Sequence, residues 1–340
     1  MTIVGAVDCG TNSIRLLVAE SSTADRFRQA QSGGVAGERS EEAYRDHTSS
    51  PLVDIHREMR VVRLGEGVDA NGRFATTAIE RTRKALSDYA DIMVAAGVER
   101  VRMVATSATR DASNRDDFFA MTSEILGRVV SGARAEVITG DEEARLSFRG
   151  AVGELDPASG PFVVTDLGGG STEVVVGDAD GVSAAYSADI GCVRLTERCL
   201  PSDPPTTDEV GAARDFARGR LDPAFAAVPV DGARTWVGVA GTMTTLSAVG
   251  AGLTEYDPEV IHLSRISLDD LDVVCRRLVG MTRAERAALG PMHPGRVDVI
   301  GGGALVTMEL ARVLRERAGI TDLVVSEHDI LDGIALGLLD

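Results

Sequence analysis

Two stretches of this sequence share one pattern: Asp8-Cys-Gly-Thr-Asn-Ser-Ile-Arg15 and Asp166-Leu-Gly-Gly-Gly-Ser-Thr-Glu173. Their Asp, the Gly two residues later and the Ser coincide at one constant offset. Apolar runs flank each stretch, which is typical of two buried strands joined by a tight turn. Two half-chains that each begin with the same hairpin predict duplicated lobes with a cleft between them.

The rest of the chain alternates short apolar runs with segments of helical spacing, which predicts an α/β protein. Strands are predicted at residues 2–7, 14–19, 55–64, 98–106, 135–138, 162–166, 173–176, 235–240, 297–300 and 323–325. Helices are predicted at residues 76–96, 115–127, 141–149, 193–199, 209–221, 268–279, 282–289, 304–318 and 329–338. The polar segment 21–51 lacks periodicity and is predicted to be a flexible insertion.

The composition argues against several classes of function. The 340 residues carry a formal net charge of −17, which opposes binding to nucleic acid and to anionic lipid. The four cysteines show neither zinc-ligand spacing nor a disulfide framework, and no apolar run is long enough to cross a membrane. We therefore expect a cytoplasmic protein whose anion site, if it has one, is a local patch of arginine, backbone N–H groups and metal.

The residues of the first turn indicate phosphate binding. Gly10 permits backbone conformations that are closed to other residues, and Thr11, Asn12 and Ser13 carry short polar side chains. Successive N–H groups in such a turn form a concave anion nest. Arg15 could add a charge, unless the alternation of the strand turns it outward. An ordinary hairpin turn would explain this stretch equally well.

The second turn points to function more strongly. Three consecutive glycines, Gly168, Gly169 and Gly170, weaken a hairpin, and a structural need rarely requires three. Close approach of the backbone to phosphoryl oxygens does require them. With Ser171 and Thr172, they form the second predicted phosphate-binding loop.

Carboxylates stand beside both turns. Asp8 and Asp166 lie at strand ends, where a buried acid is costly unless it is paired or bound to a metal. Near phosphates, Mg²⁺ is the natural partner, with Mn²⁺ as the alternative. Glu173 is a third candidate metal ligand; an ordinary surface position on a strand is the other explanation for it.

Three further segments could contribute to the same site. Either Glu142 or Glu143 could accept a proton from an attacking water, and their spacing does not choose between them. Arg110 follows a strand, where it could bind phosphate or form a surface salt bridge. Gly241 and Thr242 form a strand-to-glycine turn that could cradle more phosphate.

Together these segments resemble the exopolyphosphatase and guanosine pentaphosphate phosphohydrolase (Ppx/GppA) family. The resemblance rests on the two repeated stretches and on Ser107-Ala-Thr-Arg-Asp, Gly140-Asp-Glu-Glu-Ala-Arg-Leu, Gly191-Cys-Val-Arg-Leu-Thr-Glu, Gly241-Thr and Val325-Ser-Glu. It implies a two-lobed, actin-like fold of duplicated ribonuclease-H-like domains around a central cleft. Residues 1–139 with 329–340 would form one lobe and residues 140–328 the other.

The resemblance also implies roles for single residues. Glu143 would be the catalytic base, both glycine loops would bind phosphate, and Asp166 and Glu173 would serve Mg²⁺ binding and activity. The implied reaction is release of the terminal phosphate from inorganic polyphosphate by attack of water. Longer family members carry an additional C-terminal HD-type domain, so short polyphosphates are the expected substrates of this chain. Because family members often dimerise, we expect a homodimer.

Three alternative functions stay open at this point. The chain could be a pppGpp 5′-phosphohydrolase, which the sequence does not separate from a polyphosphatase. It could be a sugar or acetate kinase of the same fold, which would need a nucleotide and an acceptor. It could also be a non-catalytic alarmone- or nucleotide-binding regulator, against which the presence of Glu143, Asp166 and Glu173 argues.

Overall fold

The computed structural model describes residues 2–21 and 52–340. The predicted insertion lies outside these residues, except for Ser21, which ends a strand. The strands are β1 (Ile3–Cys9), β2 (Ser13–Ser21), β3 (Leu52–Val61), β4 (Arg100–Ala105), β5 (Ala135–Val137), β6 (Phe162–Leu167), β7 (Thr172–Asp178), β8 (Gly181–Ala188), β9 (Thr235–Val239), β10 (Ser264–Ser267) and β11 (Asp322–Val325).

The α-helices of the described residues lie between and after these strands. They are α1 (Val68–Asn71), α2 (Thr76–Ala96), α3 (Ser107–Asp111), α4 (Arg115–Leu126), α5 (Gly140–Val152), α6 (Cys192–Cys199), α7 (Thr207–Ala227), α8 (Ala240–Gly250), α9 (Pro258–Ile261), α10 (Leu268–Gly280), α11 (Arg283–Ala287), α12 (Ile300–Ala318) and α13 (Ile330–Leu339). None of them combines the length and apolar character that crossing a membrane requires.

The strands form two sheets with one underlying topology. The first sheet has the order β3-β2-β1-β4-β5, and the second has the order β10-β11-β9-β6-β7-β8. In the first, β1 pairs antiparallel with β2 and parallel with β4. In the second, β6 pairs antiparallel with β7 and parallel with β9. The α/β class and the duplication predicted from the two hairpins are therefore confirmed.

Two local predictions were wrong. Residues 297–300 were predicted to be a strand, but they form a turn that leads into α12. A short apolar run cannot by itself be told from a buried helix segment, and Gly302 and Gly303 allow α12 to approach α6 and α8 closely. Gly241 and Thr242 were predicted to form a turn, but they lie in the first turn of α8, which follows β9 directly.

Successive side chains of a strand point to opposite faces of its sheet, and apolar side chains cover both faces of each sheet. In β1, Val7 and Cys9 pack with α2 and α4, whereas Val4 and Ala6 pack with α13. In β6, Val164 packs with α5, whereas the opposite face packs with the larger group of helices that includes α7 and α12. Helices α5 and α13 therefore lie on the facing sides of the two sheets. The proposed lobe boundaries at residues 139 and 329 stay a prediction.

Helices α5 and α13 touch each other at two glycines. A Cβ atom on Gly150 would overlap the carbonyl oxygen of Asp329, and one on Gly333 would overlap that of Leu146. Only glycine allows backbones to approach this closely, because it has no Cβ. The contact fixes the distance between the two sheets. Because each sheet carries one hairpin turn, it also fixes the distance between the two turns.

We expect Gly333→Ala to lower the free energy of unfolding by about 1–3 kcal/mol, the usual cost of forcing extra atoms into a packed interior. Gly337→Ala is the matched control, since Gly337 lies in the same helix and a Cβ there meets nothing within 4 Å. That control should be neutral or stabilising by up to about 1 kcal/mol, from helix propensity. Urea unfolding measures both; equal values would show that the helix contact is not tight.

Candidate active site

The two repeated hairpin turns face each other across a small cavity. Loop 1 (residues 10–13) joins β1 to β2, loop 2 (residues 168–171) joins β6 to β7, and the cavity between them has a volume of about 100 Å³. The predicted site residues that line it are Asp8, Gly10, Thr11, Asn12, Ser13, Arg15, Glu143, Asp166, Gly168, Gly169, Gly170, Ser171, Gly241 and Thr242.

Three predicted site residues do not line this cavity. Thr172 is fully buried and its hydroxyl donates to the carbonyl of Ile190 at 2.6 Å, so its side chain does not face the cavity. Glu173 is buried directly across from Asp166 in the β6–β7 register, and it accepts a bond from the Ser187 hydroxyl at 2.6 Å. Arg110 lies beside Glu143 and not at either loop.

Both loops close in the same way. The N–H of Gly10 donates to the carbonyl of Ser13 at 3.0 Å, and the N–H of Gly168 donates to that of Ser171 at 3.1 Å. In loop 2, the N–H groups of residues 169–171 donate to no other group of the part of the chain that the structure describes. Successive unpaired N–H groups form an anion-binding concavity. The sequence repeat is thus a repeat of backbone geometry.

Glycine is required in loop 2 because loop 1 stands so close. A Cβ on Gly169 would lie 3.0 Å from the Thr11 Cβ, and one on Gly170 would lie 2.6 Å from the Ser107 Oγ. Real Cβ atoms almost never make contacts this short. Gly169 and Gly170 therefore serve the approach of the two loops to each other, whereas a Cβ on Gly168 would meet only the carbonyl of Ser171 in its own loop, at 3.4 Å.

The repeated hairpins differ in charge at one equivalent position. Arg15 lies directly across from Asp8 in the β1–β2 register, whereas Glu173 lies directly across from Asp166 in the β6–β7 register. Arg15 donates to Asp8 at 2.8 and 3.0 Å and also pairs with Asp329. The two acids at loop 1 therefore share one cation, and within residues 2–21 and 52–340 the two facing acids beside loop 2 form no ion pair.

Asp329 was missed by the sequence analysis. It caps the N-terminus of α13, where its side chain accepts from the N–H of Leu331, and it is only 2% exposed. An aspartate at a predicted helix start is an expected N-cap, so the sequence explains the cap. It does not reveal the pairing with Arg15, which is 314 residues away. Only the fold brings the chain ends together at this point.

Glu143 and Glu142 separate clearly in the structure. Glu143 lines the cavity with 7% of its surface exposed, and Arg110 donates to it at 2.8 Å. Glu142 points to the surface, where Arg102 donates to it at 2.5 Å. The first turn of α5 sets the positions of both side chains. Thr139 caps this turn by accepting a hydrogen bond from the N–H of Glu142. Of the two, only Glu143 is positioned to act on a ligand in the cavity.

Burial raises the pKa values of the carboxyl groups at this site. Burial raises the pKa of Glu143 to about 7, against the opposing effect of Arg110. Burial and the nearby Asp329 carboxylate raise the pKa of Asp166 to about 6. The pKa values of Asp8 and Glu173 are raised by the same loss of solvation. So many buried acids near one cavity are typical of a functional site.

Arg296 was also missed, although it lines the cavity. A Cβ on Gly241 would overlap its guanidinium, so the arginine lies directly over the start of α8. It donates to the Thr245 hydroxyl at 3.0 Å and forms no ion pair with any acid among the described residues. It ends the 3₁₀ turn Pro294–Arg296, and no local sequence pattern reveals its contact with Thr245, which lies 51 residues away.

Comparisons with known proteins match this arrangement. A family model described as "Ppx/GppA phosphatase family" matches residues 43–337. The chain belongs to the Ppx/GppA phosphatase family. It is 62% identical to Exopolyphosphatase 2 of Mycobacterium tuberculosis over 99% of both chains. The resemblance seen in the sequence is confirmed.

Solved structures show the same fold. The crystal structure of an exopolyphosphatase-like protein is 39% identical, with a TM-score of 0.86 over 99% of this chain and 98% of the other. The Ppx/GppA family member of Aquifex aeolicus is 28% identical, with a TM-score of 0.74 over 99% and 98%. The predicted two-lobed, actin-like architecture is therefore confirmed, and the expected homodimer stays a prediction.

We expect Arg110→Gln to move the acid limb of phosphatase activity to higher pH. Arg110 lowers the pKa of Glu143, and the base role that the resemblance implies for Glu143 needs a deprotonated carboxylate, so removing the cation should leave less active enzyme at low pH. The rate at pH 6 should fall by about tenfold or more, with a change of less than about threefold at pH 9.

Arg102→Gln is the control for this pH profile, because Arg102 pairs with Glu142 and not with Glu143. Its profile should match that of the wild type. A loss in Arg110→Gln that is equal at all pH values would instead make Arg110 a direct phosphate ligand, which is one of the two roles that its place in the sequence leaves open.

Proposed function

We propose that this protein is an exopolyphosphatase that releases the terminal phosphate of inorganic polyphosphate. The observation that carries the proposal is a buried carboxylate, Glu143, that lines one cavity together with loop 1 and with loop 2, whose N–H groups at residues 169–171 are unpaired among the described residues. The 62% identity to a protein called Exopolyphosphatase 2 supports the same activity.

The chain's own residues account for the main steps. Glu143 accepts a proton from a water molecule whose oxygen attacks the terminal phosphorus, and the bond from that phosphorus to the bridging oxygen breaks. The N–H groups of loop 2 and the guanidinium of Arg296 stabilise the negative charge on the transferring group and the leaving oxygen. Catalysis is then largely positioning and electrostatics, as phosphoryl transfer requires.

A divalent cation would offset the negative charge of the acids at the site, although among the described residues Asp8, Asp166 and Glu173 do not lie close enough together to form a ready-made metal site. Five buried or nearly buried carboxylates (Asp8, Glu143, Asp166, Glu173 and Asp329) share only Arg15 and Arg110 as ion-pair partners in the described part of the chain. An excess of buried negative charge is costly without a cation. We propose that Asp8, Asp166 and Glu173 hold Mg²⁺ or Mn²⁺, which would neutralise charge on the phosphate oxygens when bound.

Short polyphosphates are the proposed substrates. The cavity between the loops is small, and the chain as a whole carries a net charge of −17. Phosphates of a long polymer that extend beyond the cleft would lie over an acidic surface and be repelled. Added salt screens that repulsion, so it should reduce any preference for short chains.

We expect Glu143→Gln to lower kcat for tripolyphosphate by about 10²- to 10⁴-fold, the usual contribution of a general base. Binding of inorganic phosphate should persist, because the amide replaces a carboxylate of nearly equal size. The matched control is Glu142→Gln, one residue away at the surface, which should retain activity within about twofold of wild type. The measurement is phosphate release by both variants. Turnover by Glu143→Gln at the wild-type rate would show that Glu143 is not the base.

A second cavity favours a second candidate function, hydrolysis of the 5′-terminal phosphate of pppGpp. This cavity of about 590 Å³ adjoins the first, and Arg15, Gly241 and Arg296 line both. Small-molecule sites commonly measure about 300–1,000 Å³, which suits a nucleoside. Its walls include Met59, Tyr256 and several prolines, so an aromatic base could pack there.

Substrate comparison separates the two candidates. We expect the wild type to release phosphate from tripolyphosphate faster than from long-chain polyphosphate or pppGpp. Met59→Trp, whose larger side chain narrows the second cavity, should reduce turnover of pppGpp by about tenfold, as a steric cost of about 1–3 kcal/mol would produce. It should leave turnover of tripolyphosphate unchanged. Faster turnover of pppGpp than of tripolyphosphate by the wild type would reverse the order of the two proposals.

A further inference from the structure

The start of α6 holds loop 2 by its carbonyl groups. The first three N–H groups of this helix donate to the carbonyls of Gly168 and Gly169, at distances of 2.9 to 3.0 Å. The next carbonyl, that of Gly170, accepts a bond of 2.9 Å from Nε of the Arg194 side chain. Three successive carbonyls of the loop are thus fixed on the side of α6.

This anchoring decides where the N–H groups of loop 2 point. In a trans peptide, the C=O and N–H bonds point in opposite directions. With the carbonyls of residues 168–170 directed to α6, the N–H groups of residues 169–171 are directed away from it, to the side on which these residues line the cavity. Glycine peptides rotate at little cost, so a glycine loop needs such external fixing to keep one orientation.

The guanidinium of Arg194 is itself held from the opposite side of the cleft. Its Nη1 donates to Asp69 and its Nη2 to Asp111, each at 2.7 Å. Asp69 belongs to α1 and Asp111 to α3, the helix that also carries Ser107 and Arg110. The Arg194 side chain is only 14% exposed. One side chain therefore joins loop 2 of the second sheet to two helices beside the first.

We propose that Arg194 is a positioning residue that couples closure of the cleft to the orientation of the Gly170–Ser171 peptide. When α1 and α3 are close, two charge-assisted bonds fix the guanidinium, and its Nε fixes the Gly170 carbonyl. When they move apart, the side chain regains its freedom and the peptide is released. The anion nest is then complete only in the closed protein. The proposal rests on the phosphate-binding function proposed for loop 2.

The geometry requires arginine. The three acceptors (the Gly170 carbonyl and two carboxylates) are met by three different nitrogens of one planar fork. Lysine has a single nitrogen on a flexible stem and cannot reproduce that set of directions. Gly191 supports the same device, because a Cβ there would overlap the backbone of Gly169.

Arg198 provides a matched control in the same helix. It lies one turn after Arg194 and also donates to Asp69, at 2.8 Å from Nη2, but it donates no hydrogen bond to loop 2. Arg198→Met thus removes an ion pair with the same aspartate and leaves the Gly170 carbonyl held. Any general effect of losing charge between α6 and α1 would appear in both variants.

We expect Arg194→Met to lower kcat for tripolyphosphate by about 10- to 100-fold, since misdirecting one donor should cost somewhat less than deleting one. KM should change less than kcat, because other N–H groups and Arg296 still bind the substrate. Arg194→Lys should recover only part of the loss, and Arg198→Met should stay within about threefold of wild type. Equal kinetics of Arg194→Met and Arg198→Met would overturn the proposal.

Hydrogen exchange of the backbone provides a readout that does not need turnover. Inorganic phosphate should slow amide exchange at residues 169–171 in the wild type and in Arg198→Met, and much less in Arg194→Met. Loss of this protection with an unchanged urea midpoint separates positioning from unfolding, and Asp111→Asn should show the same loss in part. The same pattern of protection, together with no polyphosphate hydrolysis by the wild type, would refute the proposed function while supporting the role of Arg194. Equal protection in all variants would refute the role of Arg194.

Discussion

The close crossing of α5 and α13 is the contact on which the arrangement of this protein depends. Because Gly150 and Gly333 carry no side chains, the two helices meet backbone to backbone, and the sheets on either side stand as near as two helices allow. Each sheet carries its glycine turn at the same strand end, so this one distance brings the turns together. A bulkier residue at Gly333 would push the two helices apart, and one at Gly150 would also displace the backbone of Asp329.

The duplication explains how the strands and turns are arranged at the site, and the differences between the two hairpins explain its chemistry. The two hairpins keep the same strand pairing and the same turn-closing hydrogen bond. At one equivalent position they carry Arg15 in the first and Glu173 in the second, each opposite an aspartate. Facing acids in adjacent strands repel each other, and their burial makes the repulsion stronger. The second hairpin therefore depends most on a bound cation, whereas in the first Arg15 offsets part of the charge of Asp8 and Asp329.

Sequence reasoning identified what is local and missed what depends on distant contacts. The hairpins, the helix ending at Gly97 and the family follow from short patterns, and the structure bears them out. Asp329 and Arg296 could not be found in this way, because their partners lie in other elements far along the chain. The glycines near residue 302 serve helix packing, which a one-dimensional pattern does not distinguish from a turn or a loop.

An acidic protein that binds a polyanion must attract it without a basic surface. Backbone N–H groups solve this problem because they attract an anion without adding charge, but they do so only when their peptides are held in one orientation. In loop 2 the orientation comes from the start of α6 and from Arg194, whose own charge is balanced by Asp69 and Asp111. The attraction is thus confined to the closed cleft, and the remaining surface can stay acidic without weakening it.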